Sequence, residues 1–311
     1  MKKLNFGVVL PVEGNVSGGR PDPNMVLEMA ESAERLDYTS VWVGDRLLFT
    51  PRLEPLSTLG AVAVRTKEIG FGTAVLLAAL RNPVLLAHAM ATLDILSAGR
   101  MIFGIGVGVQ RSMREYAAAQ VPFGRRGTRV EECIQIIKKL WTESSVTFSG
   151  KHYRLENVSL PLRPEQRNGP PLWIGGSTEH ALRRTAELGD GWLPMEIDAE
   201  QYKQGISKIS GYAAKCGRAP SSIHKAFYMT LNIMQDRGPA YAEAQEFLNM
   251  YYNVRLPSIE RFGVFGTTAD CIRRIEEYSA LGLETIVIRF ASFEPLAQIR
   301  NFAQSVSPVF T

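Results

Sequence analysis

The residues best suited to chemistry in this chain are its glycines and the hydroxyls beside them. Gly175-Gly176-Ser177-Thr178 sets two residues without side chains and two hydroxyls ahead of a helical segment. Backbone N–H groups can approach an anion there, and the positive end of the helix adds to their pull, so the stretch can cradle a phosphate. It can equally be an ordinary helix entry with Ser177 as N-cap. Gly104-Ile105-Gly106-Val107-Gly108 repeats glycine at every second position, the period at which strand side chains change face. A strand face left bare admits close approach, either by a flat ring lying on the backbone or by a neighbouring helix crossing at a tight bend. The run is not a dinucleotide fingerprint, whose third glycine would fall at position 109, where Val109 stands.

Charged candidates are fewer. Asp45-Arg46 follows the apolar run Ser40 to Val43, with Arg52 close behind. Asp45 can hydrogen-bond a ring N–H or anchor a substrate, and it can also cap a turn or pair with a nearby arginine. Gly72-Thr73-Ala74 has only small side chains, which suits a bulge against a ring or space for a packed helix. Arg289 carries a permanent cation suited to carboxylate or phosphate, with Glu294 as a competing partner. His88 lies in an apolar helix and is expected to be packed and hydrogen-bonded, and Cys133 is expected in the core. No nucleophile–base pair and no pair of carboxylates announces itself, so the chemistry fits a bound cofactor better than a protein triad.

The totals exclude several classes. Across 311 residues the formal charge is +4 and 45% of residues are hydrophobic, with basic and acidic residues interleaved. That leaves no basic stripe for nucleic acid or an anionic membrane. The apolar run Phe6 to Leu10 ends at Pro11 and Glu13, too short for a signal peptide. The region Ala74 to Met90 is interrupted by Arg81-Asn82-Pro83 and cannot span a bilayer. Cys133, Cys216 and Cys271 show no CxxC spacing, which suits the cytoplasm, and the four histidines are scattered, with no metal-ligand spacing.

The elements that would position these residues alternate from end to end. Strands are expected at Leu4 to Leu10, Ser40 to Val43, from Ile69, after Arg100, Leu172 to Ile174, Gly191 to Leu193, Ile223 to Met234 and Thr285 to Arg289. Helices separate them, the clearest from Pro83 to Leu96 and from Arg126 to Trp141, where Val130, Cys133, Ile134 and Ile137 share a face. Val146 to Phe148 and His152 to Leu155 form a small hairpin outside the sheet. Eight alternations predict one α/β domain over residues 1–311, a closed (β/α)8 TIM barrel, ahead of a doubly wound open sheet. The site then lies at the carboxyl ends of the strands, at Asp45, Thr73, Gly106, Gly175, Trp192, Tyr228 and Arg289. The loops 13–23, 45–56, 156–170 and 253–265 carry no readable chemistry.

Taken in order, these pieces resemble the bacterial luciferase-like monooxygenase superfamily. The resemblance rests on Phe6-Gly7-Val8-Val9-Leu10-Pro11, Ser40-Val41-Trp42-Val43-Gly44-Asp45, Gly72-Thr73-Ala74-Val75, and Leu93 to Arg100. It continues through Gly104 to Gly108, Phe148 to Tyr153, Trp173-Ile174-Gly175-Gly176, Gly189-Asp190-Gly191-Trp192 and Gly266-Thr267. It implies an oxidoreductase using reduced FMN or coenzyme F420 on a small organic substrate, by oxygenation or by hydride transfer. It implies that Gly175, Gly176, Ser177 and Thr178 receive the cofactor phosphate and that Gly106, Val107 and Gly108 line its pocket. It also implies a non-proline cis peptide near Thr73-Ala74, bulged against the ring. The deazaflavin branch often carries Asp-His where this chain has Asp45-Arg46, so Asp45 and Arg46 are the expected polar groups near the ring. Arg289 is the expected substrate anchor. A homodimer through barrel helices and a flavin or F420 reductase as partner are further implications. A flavin-binding protein without turnover and a barrel isomerase or lyase acting on a sugar phosphate are the competing readings.

Overall fold

Short apolar runs bounded by glycine and proline become parallel strands, and helices, several with locally capped starts, return each to the next. The computed structural model describes residues 3–16 and 19–310, so Met1, Lys2 and two positions of the Glu13 to Pro23 loop lie outside the described residues. The strands are β1 (Asn5–Val9), β2 (Ser40–Val43), β3 (Gly70–Thr73), β4 (Leu76–Leu77), β5 (Met101–Gly106), β6 (Val146–Ser149), β7 (Arg154–Val158), β8 (Leu172–Gly175), β9 (Gly191–Leu193), β10 (His224–Ile233), β11 (Gly263–Gly266) and β12 (Thr285–Phe290). Parallel pairing runs β1–β2–β3–β5–β8–β9–β10–β12 and back to β1, which closes an eight-stranded barrel and excludes the open sheet. The hairpin β6–β7 is a separate antiparallel sheet.

The helices are α1 (Pro23–Arg35), α2 (Pro55–Arg65), α3 (Pro83–Leu96), α4 (Met113–Ala118), α5 (Arg126–Thr142), α6 (Glu179–Leu188), α7 (Ala199–Lys215), α8 (Arg237–Tyr252), α9 (Thr268–Ser279) and α10 (Pro295–Ser305). Among the described residues no helix is long and apolar enough to cross a membrane. Asn82 caps α3 by accepting from the N–H groups of Val84 and Leu85, with Pro83 preset for the first turn. Cys133 is fully buried on α5, as its periodicity predicts. His88 departs from expectation and is exposed. It shares an outward stripe of α3 with Leu85, Thr92 and Leu96, because this helix is apolar nearly all round and its sequence does not mark the inward face.

Two differences bear on the site. The segment 253–265 is not all loop, because β11 adds to the second half of β10, from Thr230↔Gly263 to Ile233↔Gly266. And the third barrel strand is broken. From the Gly72↔Ile102 pair to the Leu76↔Ile105 pair it advances four residues against three on β5, which is a bulge. Below the bulge, Trp42 and Trp173 stack inside the barrel with ring centroids 5.2 Å apart. Gly7, Gly72 and Gly191 make room for these rings, since a Cβ at any of them would lie within 2.7 Å of an indole atom.

Candidate functional site

A cavity of about 990 Å³ opens above these rings, at the carboxyl ends of the strands. Asp45, Arg46, Ala74, Gly106, Val107, Gly108, Gly175, Gly176 and Arg289 all line it, brought together from five strand ends. Thr73 is buried just beneath, its hydroxyl donating to the Gly104 carbonyl at 2.7 Å. Ser177 and Thr178 are exposed at the start of α6, outside the lining. The N-cap there is Thr178, which accepts from the Ala181 N–H at 3.3 Å, rather than Ser177. Trp192 is buried behind this turn, its indole N–H donating to the Gly176 carbonyl at 2.8 Å.

The bare face of β5 has a different occupant from either one expected. A Cβ at Gly104 would stand 1.8 Å from the Thr73 carbonyl oxygen, and one at Gly106 would stand 2.3 Å from Cγ2 of Val75. A Cβ at Gly175, on the neighbouring β8, would lie 3.0 Å from Cγ1 of Val75. Gly104, Gly106 and Gly175 therefore receive the bulge of the adjacent strand. Ala74 and Val75 then form the cavity floor. The peptide bond between them is cis, one residue beyond the expected Thr73-Ala74 position. Gly108 lies past the end of β5 with φ +73°, where a Cβ would meet the Ser112 hydroxyl at 2.9 Å.

Asp45 and Arg46 are held by the protein. Asp45 Oδ2 accepts from the Leu77 N–H at 2.9 Å and from Arg81 Nη1 at 2.5 Å. Arg81 also reaches Glu54 at 3.1 Å. Burial opposes the charge of Arg81, but Asp45 and Glu54 outweigh it and raise its pKa. Arg46 donates to Ser112 Oγ at 3.0 Å and lies 3.6 Å from Glu115. Glu115 in turn accepts from the Leu47 N–H at 2.7 Å.

The opposite wall is cationic and phenolic. Arg289 does not pair with Glu294. Its Nε and Nη2 donate to Thr230 Oγ1 at 3.2 and 2.9 Å, and its Nη1 donates to the Tyr252 hydroxyl at 3.0 Å. The rings of Tyr251, Tyr252 and Tyr228 have centroids 4.5, 5.2 and 5.5 Å from its guanidinium carbon. Burial pushes the phenols of Tyr228 and Tyr252 above their ordinary range, against the opposite pull of Arg289. Arg52, buried in the same wall, pairs with Glu13 at 2.8 Å. Burial works against its charge, and Glu13 and Tyr251 more than restore it. Tyr251, Tyr252 and Glu13 carry no motif. Their only trace in the sequence is position, at the end of the helix that follows the longest strand and in the loop following β1.

A model of the luciferase-like monooxygenase family matches residues 4–285. An F420-dependent glucose-6-phosphate dehydrogenase from Amycolatopsis mediterranei is 25% identical, over 96% of this chain and 98% of that one. A monooxygenase from Streptomyces bottropensis superposes with a TM-score of 0.86 at 22% identity, covering 99% of this chain and all of the other. An F420-dependent secondary alcohol dehydrogenase, solved with an F420–acetone adduct, superposes at 0.84 and 22% identity, with both chains fully covered. With most of its length matched by the family model and the barrel closed as the two superposed structures require, the chain belongs to the luciferase-like monooxygenase family.

Proposed function

We propose that this protein is an oxidoreductase whose barrel mouth holds reduced F420 or FMN, and that a small organic substrate is transformed beside it. One observation carries the reading. At the carboxyl ends of a closed barrel, a cavity is lined by Gly44, Ala74, Val75, Gly106, Val107, Gly108, Gly175 and Gly176, so these sides carry no large or charged side chain. Walls of glycine and small apolar residues suit a flat ring system better than a compact, hydrogen-bonding sugar. When bound, such a cofactor supplies a hydride, or in its flavin form activates oxygen. The F420-dependent dehydrogenase that aligns along nearly the whole chain favours hydride transfer.

In this reading Ala74 and Val75 support the ring from below, with Thr73 fixing the bulge through its bond to Gly104. Gly106, Val107 and Gly108 edge the pocket. The turn Gly175-Gly176-Ser177-Thr178 takes the phosphate-bearing tail at the N-terminus of α6. Asp45 and Arg46 stand near the ring as polar groups, held by Arg81 and by Ser112. Arg289 anchors the substrate. The described strands and helices act as one catalytic domain, cytoplasmic and served by a separate flavin or F420 reductase. A homodimer is supported by the outer faces of α2 and α3, where Leu85 is 70% exposed, Val64 59% and Leu96 52%.

Calorimetric titration of the cofactor-free protein with F420, and separately with FMN, tests the reading. Saturable binding of one of them at one site per chain is expected. A protein that binds neither, yet is stabilised against heat by sugar phosphates, would be a barrel isomerase or lyase instead.

A further inference from the structure

The cofactor reading leaves a second cavity unused. It measures about 690 Å³ and lies between β1, α1, α8 and the segment after β12. Arg289 and Tyr251 wall both cavities, so the two are neighbours across those side chains. Beyond them the lining is mostly apolar: Leu10, Met25, Met29, Phe247, Phe290 and Phe293. Glu13 and Asp22 also line it.

Arg289 is 3% exposed. Its hydrogen-bond partners, Thr230 and Tyr252, are neutral, and so are the three rings around it. Among the described residues it forms no ion pair, whereas Arg52 in the same wall has Glu13 at 2.8 Å. A buried guanidinium without a counter-charge is costly to maintain, and it retains N–H donors beyond those engaged by Thr230 and Tyr252. A ligand that brings one negative charge corrects the imbalance. The charge should be single, because among the described residues Arg289 is the one cation of this wall left without an anion, Arg52 being paired with Glu13, and Asp22 at the rim would repel a second negative charge. A planar two-oxygen head matches the planar fork.

We propose that Arg289 seats the carboxylate of an apolar acid whose hydrocarbon body fills this second cavity. The proposal rests on the cofactor reading only in making this acid the substrate. It leaves the carbon beside the carboxylate at the boundary between the two cavities.

Calorimetry with octanoate, butyrate and octan-1-ol on the whole, cofactor-free chain tests it. Octanoate is expected to bind roughly 10- to 100-fold more tightly than octan-1-ol, the range of a charge-assisted hydrogen-bond pair. Affinity is expected to rise about fourfold per methylene from butyrate to octanoate. Arg289→Gln should reduce octanoate to the level of octan-1-ol while leaving octan-1-ol unchanged. Met25→Trp should fill the chamber and weaken octanoate but not butyrate. Equal binding of octanoate and octan-1-ol by the native protein overturns the proposal, and so does an affinity flat in chain length. Both comparisons use the native chain and stand even where a variant fails to fold. F420 and FMN titrations run in parallel separate the two claims. Cofactor binding without carboxylate preference sinks the chamber alone, and carboxylate preference without cofactor binding sinks the cofactor reading alone.

Discussion

Gly106→Ala tests whether the glycine row on β5 exists to receive Val75. The added Cβ would stand 2.3 Å from Cγ2 of Val75. Carbon atoms pack at roughly 3.5–4.0 Å, so one of the two must retreat by more than about 1 Å. Val75 has no long side chain to swing aside, and its backbone lies in the bulge. Overpacking of this kind costs about 1–3 kcal/mol. Val75→Ala removes both methyl groups from a half-buried position and should cost about 1 kcal/mol by itself.

If the clash is the whole effect, the double variant should be no less stable than Val75→Ala alone. The two substitutions would then couple by about 1–3 kcal/mol in urea unfolding. Gly104→Ala supplies the control. Its Cβ would meet the Thr73 carbonyl oxygen at 1.8 Å, while Val75 comes no nearer than 3.6 Å. Truncating Val75 should not rescue it, and the pair should be additive. Cofactor affinity should follow the same pattern, lost in Gly106→Ala and recovered in the double variant, because Val75 is part of the cavity floor. Additivity in the Gly106 pair, or equal rescue of Gly104→Ala, refutes the packing argument.

Two further expectations concern titration. Arg237, assisted by Thr267 and Arg273 and opposed by burial, holds the Asp270 carboxyl far below the usual carboxylate range. A depressed native pKa means the stabilisation is full above the unfolded value, near about 3.9, and is lost as pH falls toward the native one. The stability gap between native protein and Asp270→Asn is therefore expected to stay constant from neutral pH to about 5 and to narrow below about 4. A gap that widens in acid contradicts the assignment. Burial pushes the thiols of Cys133 and Cys271 up to about 12, whereas Cys216 is exposed. A disulfide reagent at mildly alkaline pH should modify one thiol per folded chain, and rapid labelling of a second would show the interior to be open.

The barrel was legible because its signals are local. Apolar runs end at Gly or Pro, and Asp22, Asn82, Asp198 and Thr267 each cap the helix that follows. β11 escaped because Gly263-Val264-Phe265-Gly266 offers two apolar side chains between glycines. Its only hint was the length of β10, ten residues where other barrel strands have three to six. His88 faces solvent against expectation because a helix that is apolar nearly all round carries no directional signal, and Leu85 and Leu96 share its exposed stripe. The competing Glu294 partner for Arg289 is not formed, for a related reason. Nearness in sequence was the only guide, while Thr230 and Tyr252 arrive from β10 and the end of α8.

The glycines of β5 show how a correct local reading can still miss its cause. Their spacing identified a bare strand face, but what covers that face is decided on the adjacent strand by a one-residue slip in register. Asp45 is tied to the same slip. Its carboxylate holds the Leu77 N–H, two residues past Val75, and Arg81 holds that carboxylate in place. Anchoring β4 in this way determines where Val75 lies, and the glycines of β5 and Gly175 then have to be glycine. A residue that reads as a polar contact for the ring at the end of β2 therefore also supports the cavity floor from behind. Loss of cofactor affinity in Asp45→Asn would accordingly be expected even without any contact between Asp45 and the ring. The two roles separate in Arg81→Met, which removes the brace and leaves Asp45 itself unsubstituted. If that variant binds cofactor like the native protein while Asp45→Asn does not, Asp45 acts on the ring directly.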